Sequence, residues 1–187
     1  MRQVEALENA VTAMIEDART RVRNEPGRCE AAEVTRARAR FWSVLADDQS
    51  RPMRLDITDH PVLVGVAEPE LGACLDALLG NVFAHTPQGT GFEIGLRPRS
   101  GGGAVLTVRD EGPGFAHRDP IRRGASGGGS TGLGLDIARQ TAEASGGTLR
   151  IQPGPGGLVM VELGPPAPPE PPPEPLPEPP PEPPPQP

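Results

Sequence analysis

An α+β sandwich, with helices on one face of a mixed sheet, is the fold class this sequence predicts. Three observations predict it. Apolar residues recur at helical spacing through Leu71, Cys74, Leu75, Leu78, Leu79, Val82 and Phe83, just after a short β-branched run. Two alternating runs, about 92–97 and 104–109, flank a Gly-rich turn at 100–103, and two more, 149–152 and 158–163, flank a turn at 153–157. The order is a helix between strands, a hairpin, a Gly-rich stretch, a helix and a last hairpin. It segregates the helices from a mostly antiparallel sheet.

Each element follows from local chemistry. Residues 2–24 read as a helix, because Val4, Leu7, Val11, Met14 and Ala18 repeat every three or four positions, and Pro26-Gly27 ends it. That narrow seam suits either the protein's own domain or a second copy in a helical bundle. A second helix is expected over 31–46, with Val34, Ala37, Phe41, Trp42, Val44 and Leu45 as its apolar set. Strands are expected at 53–57 and 62–66, the latter rich in Val. Pro69 suits the first turn of a helix that runs to His85. The strands at 92–97 and 104–109 follow. A Gly-rich stretch from 112 to 134 then leads into a helix over 133–145 and the closing hairpin.

Residues 164–187 hold sixteen of the 26 prolines and four glutamates. Proline lacks an amide donor and has a fixed φ, so this stretch enters neither helix nor sheet. It reads as an acidic spacer or as a docking ligand for a proline-recognising domain. Four of the seven net negative charges lie there, and the rest of the chain is not basic, which argues against nucleic-acid binding. No apolar run approaches the length of a membrane span, and residues 1–25 carry charges throughout, unlike a signal peptide. Cys29 and Cys74 have no metal-ligand or redox spacing and read as free thiols of a cytoplasmic protein. The expected division is 1–49 helical, 50–163 the sandwich, and 164–187 the tail.

Three segments carry candidate chemistry. In LLGNVFAHTP (78–87), Asn81 and His85 are four apart and share a helical face. They read as a ligand-facing pair, or as a satisfied core Asn with a His at the helix's negative end. In DEGPGF (110–115), Asp110 ends a strand and alternating glycines follow. A carboxylate only accepts hydrogen bonds, so it suits an exocyclic amino group, and the glycines admit a flat ligand; an ordinary Asp turn is the other reading. In GGGSTGLGLDIA (127–138), glycines open a helix, where exposed amides and the dipole favour phosphate; a flexible capped loop is the alternative. The segment has no Walker Lys and no strand directly before it, so neither a P-loop nor a dinucleotide fingerprint fits.

In this order and spacing the three segments resemble the N, G1 and G2 boxes of the ATP-binding domain of sensor histidine kinases. That domain's superfamily includes DNA gyrase, the heat-shock chaperone and mismatch-repair ATPases. The resemblance covers about residues 50–163, including AEASGGTL at 142–149, and residues 2–48 look like the second dimerisation helix and its linker. It implies a Bergerat-type ATP-binding sandwich preceded by a helical dimerisation segment, with ATP and Mg²⁺ as ligands. By the resemblance Asn81 would ligate Mg²⁺, and His85 would lie near the phosphates or the lid. Asp110 would bind the adenine amino group, with Gly112 and Gly114 admitting the base. Residues 116–131 would form the lid, where Arg122 and Arg123 are either phosphate contacts or solvated charges. Thr131, Gly132, Leu133 and Gly134 would set the helix start beneath the triphosphate.

The sequence departs from that family in two respects. No histidine fits the phosphoacceptor: His60 precedes Pro61, His85 lies in the N box and His117 in the lid. No catalytic residue is therefore assigned, and the acceptor is expected in trans or on a helix before Met1. The position four before Asn81, often polar or acidic in the family, is Ala77; position 84, often basic, is Ala84; and Asp76 is one residue out of phase. The expected partners are an acceptor-His domain or response regulator and a second copy through residues 2–24. Two other readings stand beside the kinase: an anti-sigma-type ATP-binding module, and an inert remnant that binds ATP without transferring phosphate.

Overall fold

Strict alternation along three strands builds the inner face of the sheet. Phe92, Ile94 and Leu96, then Ala104, Leu106 and Val108, then Val159, Val161 and Leu163 are all buried. Successive strand side chains point to opposite faces, so these nine residues form one continuous apolar floor. The computed structural model describes residues 27–114, 133–152, 154 and 156–168. The helix expected over 2–24, the lid at 116–131 and the tail beyond 168 lie outside them, as do His117, Arg122, Arg123, Thr131 and Gly132.

The elements are β1 (Cys29–Glu30), α1 (Ala31–Asp48), β2 (Met53–Ile57), β3 (Leu63–Val64), α2 (Glu68–His85), β4 (Phe92–Pro98), β5 (Ala104–Asp110), α3 (Leu133–Ala144), β6 (Leu149–Gln152) and β7 (Leu158–Leu163). The main sheet has the order β2-β4-β5-β7-β6, parallel between β2 and β4 and antiparallel elsewhere. The helices cover it in sequence: α1 lies over β2 and β4, α2 over β5, and α3 over β6 and β7. This is the expected two-layer sandwich.

Two elements differ from expectation. Only Leu63–Val64 of the run 62–66 forms a strand, pairing with the unforeseen β1. Its flanking donors are used elsewhere: the Val62 amide donates to Glu30 Oε1 at 2.8 Å, and the Gly65 amide to the Gly164 carbonyl at 2.9 Å. In α1 the expected apolar set is largely wrong. Phe41 is 64% exposed and Val44 73%, whereas Ala31, Ala32, Val34, Thr35, Ala39 and Ala46 are buried. Mostly small residues let α1 approach α2 closely; of its larger side chains Trp42 packs on Phe83 of α2, with ring centroids 5.2 Å apart, while Phe41 and Val44 stay outside.

α1 shares one apolar core with α2 and the sheet, and Cys29 of β1 belongs to it. The Glu30 side chain caps α1 through the amides of Ala32 and Glu33. At the start of α2, Glu70 reaches back to the Ala67 amide at 3.1 Å. Among the described residues no helix is long and apolar enough to cross a membrane.

Candidate functional site

The C-terminal half of α2, the end of β5 and the start of α3 converge at one end of the sandwich. They are the three segments singled out in the sequence. α2 is held by Leu71, Leu75, Leu78, Leu79 and Val82, which point into the core. That orientation leaves Asn81 half-buried on a different face, toward α3.

Asn81 meets α3 at Gly134. A Cβ on Gly134 would lie 2.8 Å from Asn81 Nδ2 and 3.1 Å from the Ala77 carbonyl, so α3 begins hard against this side chain. Among the described residues the Asn81 side chain has no hydrogen-bond partner, and its amide oxygen is available to a ligand. His85 is exposed at the end of α2. Asp76, the carboxylate one position out of phase, turns the other way: it accepts from Arg38 Nε and Trp42 Nε1 on α1, each at 2.8 Å.

Asp110 ends β5, paired in register with Phe92. Its Oδ1 accepts from the Gly112 amide at 2.8 Å and the Gly157 amide at 3.2 Å. Its own amide donates to the Gly157 carbonyl at 2.9 Å, and Gly156 donates to Gly112 at 3.1 Å. The carboxylate is thus oriented through one oxygen by backbone donors, and the other has no donor among the described residues. A half-exposed carboxylate held this way presents an acceptor to a ligand amino group. Gly114, with φ of 76°, packs so closely on the β6–β7 turn that a Cβ would lie 1.7 Å from the Gly154 carbonyl, so only glycine fits. A Cβ on Gly112 would lie 2.7 Å from Thr86 Cγ2.

The structure therefore brings together Asn81, Asp110, Gly112, Gly114 and Gly134, with His85 at the rim and Leu133 opening α3. Three contributors were not foreseen. The Gly157 amide belongs to a turn read only as a hairpin connection. Thr86 reads as a helix end before Pro87. Arg51 is one of 18 basic residues and bears no sequence mark of burial.

The donor set fits a magnesium nucleotide. Asn81 supplies one unpaired amide oxygen, and Mg²⁺ takes few protein oxygens when phosphates and waters supply the rest. An all-protein metal cage does not fit: among the described residues no group of three or more His, Cys, Asp or Glu side chains could hold an ion.

Comparison with known proteins gives the family and the fold. The family described as "Histidine kinase-, DNA gyrase B-, and HSP90-like ATPase" matches residues 67–169, more than half of the chain. The probable sensor histidine kinase TcrY of Mycobacterium tuberculosis is 30% identical over 174 residues, which cover 83% of this chain and 36% of that protein. The sensor protein ChvG of Rhizobium meliloti is 32% identical over 119 residues, or 54% of this chain and 21% of ChvG. The chain thus spans well under half the length of these relatives. Among solved structures, the catalytic domain of the histidine kinase ThkA superposes with a TM-score of 0.66 at 16% identity, covering 75% of this chain and 95% of that one. The Acinetobacter baumannii histidine kinase AdeS superposes with a TM-score of 0.64 at 22% identity, covering 86% and 82%.

Proposed function

We propose, for a chain that belongs to the histidine kinase-, DNA gyrase B- and HSP90-like ATPase family, that it binds Mg-ATP and passes the γ-phosphoryl group to a histidine supplied in trans. The observation that carries the reading is the Asp110 carboxylate, oriented by the Gly112 and Gly157 amides and open on its other oxygen. That oxygen accepts the adenine amino group, while Gly112 and Gly114, packed against Thr86 and the Gly154 carbonyl, hold the turn beside it. Asn81 holds Mg²⁺ through its amide oxygen; when bound, the ion neutralises charge on the triphosphate. Gly134 keeps α3 close to Asn81, and Leu133 opens that helix; Thr131 and Gly132, outside the described residues, are assigned to the phosphates by the resemblance alone. His85, Arg122 and Arg123 contact the phosphates from the rim and the lid.

In-line phosphoryl transfer depends mainly on positioning and charge neutralisation, so few further groups are needed. An attacking imidazole is already neutral at cellular pH and needs no strong base. Such an acceptor comes from another molecule or from outside these residues. His60 sits exposed in the β2–β3 connection, and His85 is exposed at the C-terminal end of α2. The partners are an acceptor-His domain and its response regulator, with residues 2–24 pairing two copies. The compartment is the cytoplasm, where the free thiols of Cys29 and Cys74 stay reduced.

The test mixes the chain with ATP, Mg²⁺ and a separate acceptor-His bundle. Acid-labile phosphate on the bundle, lost with Asp110→Asn or Asn81→Ala, supports the proposal. Acid-stable phosphate on a serine of another partner would instead favour an anti-sigma-type kinase. Nucleotide binding without transfer to any bundle would leave an inert binding module.

A further inference from the structure

We infer that Arg51 is a positioning residue for base recognition: it locks the end of α2 against the turn that orients Asp110. This rests on the nucleotide-binding reading above.

Arg51 is 3% exposed. A buried guanidinium is costly unless its donors are satisfied, and a carboxylate is the usual partner. Among the described residues no carboxylate pairs with Arg51. Its Nε donates to Gln49 Oε1 at 2.8 Å, Nη1 to Thr86 Oγ1 at 2.6 Å, and Nη2 to the Thr86 carbonyl at 2.9 Å. The guanidinium carbon lies 4.7 Å from the centre of the Phe83 ring. The positive charge is therefore balanced by the negative end of α2 and by an aromatic face. The Arg51 amide also donates to the Ala46 carbonyl at 2.8 Å, so Arg51 sits where the C-terminal ends of α1 and α2 meet.

Two routes lead from this residue to Asp110. Through the first, Arg51 grips both oxygens of Thr86, whose Cγ2 fills the space beside Gly112, and the Gly112 amide orients Asp110 Oδ1. Through the second, Arg51 covers Phe83, Phe83 meets Phe92 edge-on with centroids 5.6 Å apart, and Phe92 stands opposite Asp110 in the sheet. A planar fork with two donors on one residue fixes that residue's position and orientation together. Loosening it frees Thr86 and the Gly112 turn, and so the direction of the carboxylate that reads the base. Arg51 thus acts on base selectivity without touching the nucleotide.

The test measures ATP and GTP affinities by calorimetry for Arg51→Met, Arg51→Lys and Thr86→Val, with Asp110→Asn as reference, at a temperature where circular dichroism reports each variant folded. Thr86→Val keeps the methyl beside Gly112 and removes the acceptor of Nη1 together with the hydroxyl's bond to the Val82 carbonyl at 2.7 Å, which lies within α2 and away from Gly112; it decides the matter if Arg51→Met does not fold. Coupling between contacting groups predicts an ATP-over-GTP preference lowered about fivefold in Arg51→Met, with a smaller loss of the same sign in Thr86→Val and Arg51→Lys. A lower melting temperature with an unchanged ATP-over-GTP ratio in all three would overturn the inference and leave Arg51 a purely structural residue. An Asp110→Asn protein with unaltered ATP affinity would instead overturn the nucleotide-site reading itself.

Discussion

Gly134 at the start of α3 stands so close to Asn81 on α2 that a single added methyl would press on the Asn81 amide at 2.8 Å. The proposed metal-binding side chain and the helix proposed to face the phosphates therefore share one contact. Gly134→Ala gains helix propensity worth about 1 kcal/mol and meets crowding worth about 1–3 kcal/mol, so its melting temperature falls only modestly. Asn81 must rotate away, and Mg-ATP affinity is expected to drop about tenfold, a difference of ~1.4 kcal/mol. Calorimetry with and without Mg²⁺ checks this: the loss should appear only when Mg²⁺ is present.

Asp110→Asn tests the base-reading carboxylate. The amide oxygen of Asn can still accept from Gly112 and Gly157, so the fold should survive. Its NH₂ then faces the adenine amino group, donor against donor. ATP affinity should fall by about tenfold or more, since a mismatched polar contact in a recognition site is heavily penalised. The same NH₂ can donate to a carbonyl, so GTP should gain relative to ATP. Equal losses for both nucleotides would show that Asp110 does not read the base.

Asp76 has the opposite profile. It ties Arg38 and Trp42 of α1 to α2. Asp76→Ala leaves two donors without their acceptor and should destabilise the fold by about 1–3 kcal/mol. Nucleotide affinity, measured well below the melting temperature, should stay within about twofold, because among the described residues no hydrogen bond joins Asp76 to Asn81 or Asp110. A large loss of affinity with unchanged stability would place Asp76 in the nucleotide site.

The thiols give a pH dependence. Burial, reinforced by nearby Glu68, pushes Cys29 from 9.0 up to about 11. Burial likewise pushes Cys74 up to about 12, opposed by a hydrogen bond with Thr141. Below pH 9 both thiols are protonated in the folded and unfolded chain, and their contribution is fully retained. From pH 9 toward 12 the unfolded thiols ionise first, so stability falls as pH rises through that window. The chain has no Tyr and no Lys, which leaves little else to titrate there. Denaturant titrations should show a decline above pH 9 that Cys29→Ser and Cys74→Ser together reduce. At pH 8 neither thiol should react with a thiol reagent until the protein unfolds.

The fold and the site were unequally legible in the sequence. Strands 92–98, 104–110, 149–152 and 158–163 were readable because a half-buried strand imposes a period of two on its own residues. α2 was readable because its buried stripe is continuous. α1 was misread: Phe41 and Val44 look like core residues by hydropathy, and only the approach of α2 shows that alanines fill the contact. The short β1–β3 pair left no pattern, since two residues are too few for a period.

At the site, Asn81, Asp110 and the glycines were legible because each breaks the pattern of its own element. A polar residue beside an apolar stripe, a carboxylate at a strand end and glycines at a helix start all announce local chemistry. Arg51, Thr86 and Gly157 carry no such mark. Their roles come from groups brought together from distant parts of the chain: Arg51 and Thr86 are 35 positions apart, and Gly157 and Asp110 are 47 apart. By itself, then, the sequence determined the longer elements, their layering and the residue types that could meet a nucleotide, because periodicity and backbone chemistry are local. Only the tertiary structure decided which amides aim Asp110, which way Asp76 turns and where a buried cation finds its counter-charge, because hydrogen-bond partners are chosen in space.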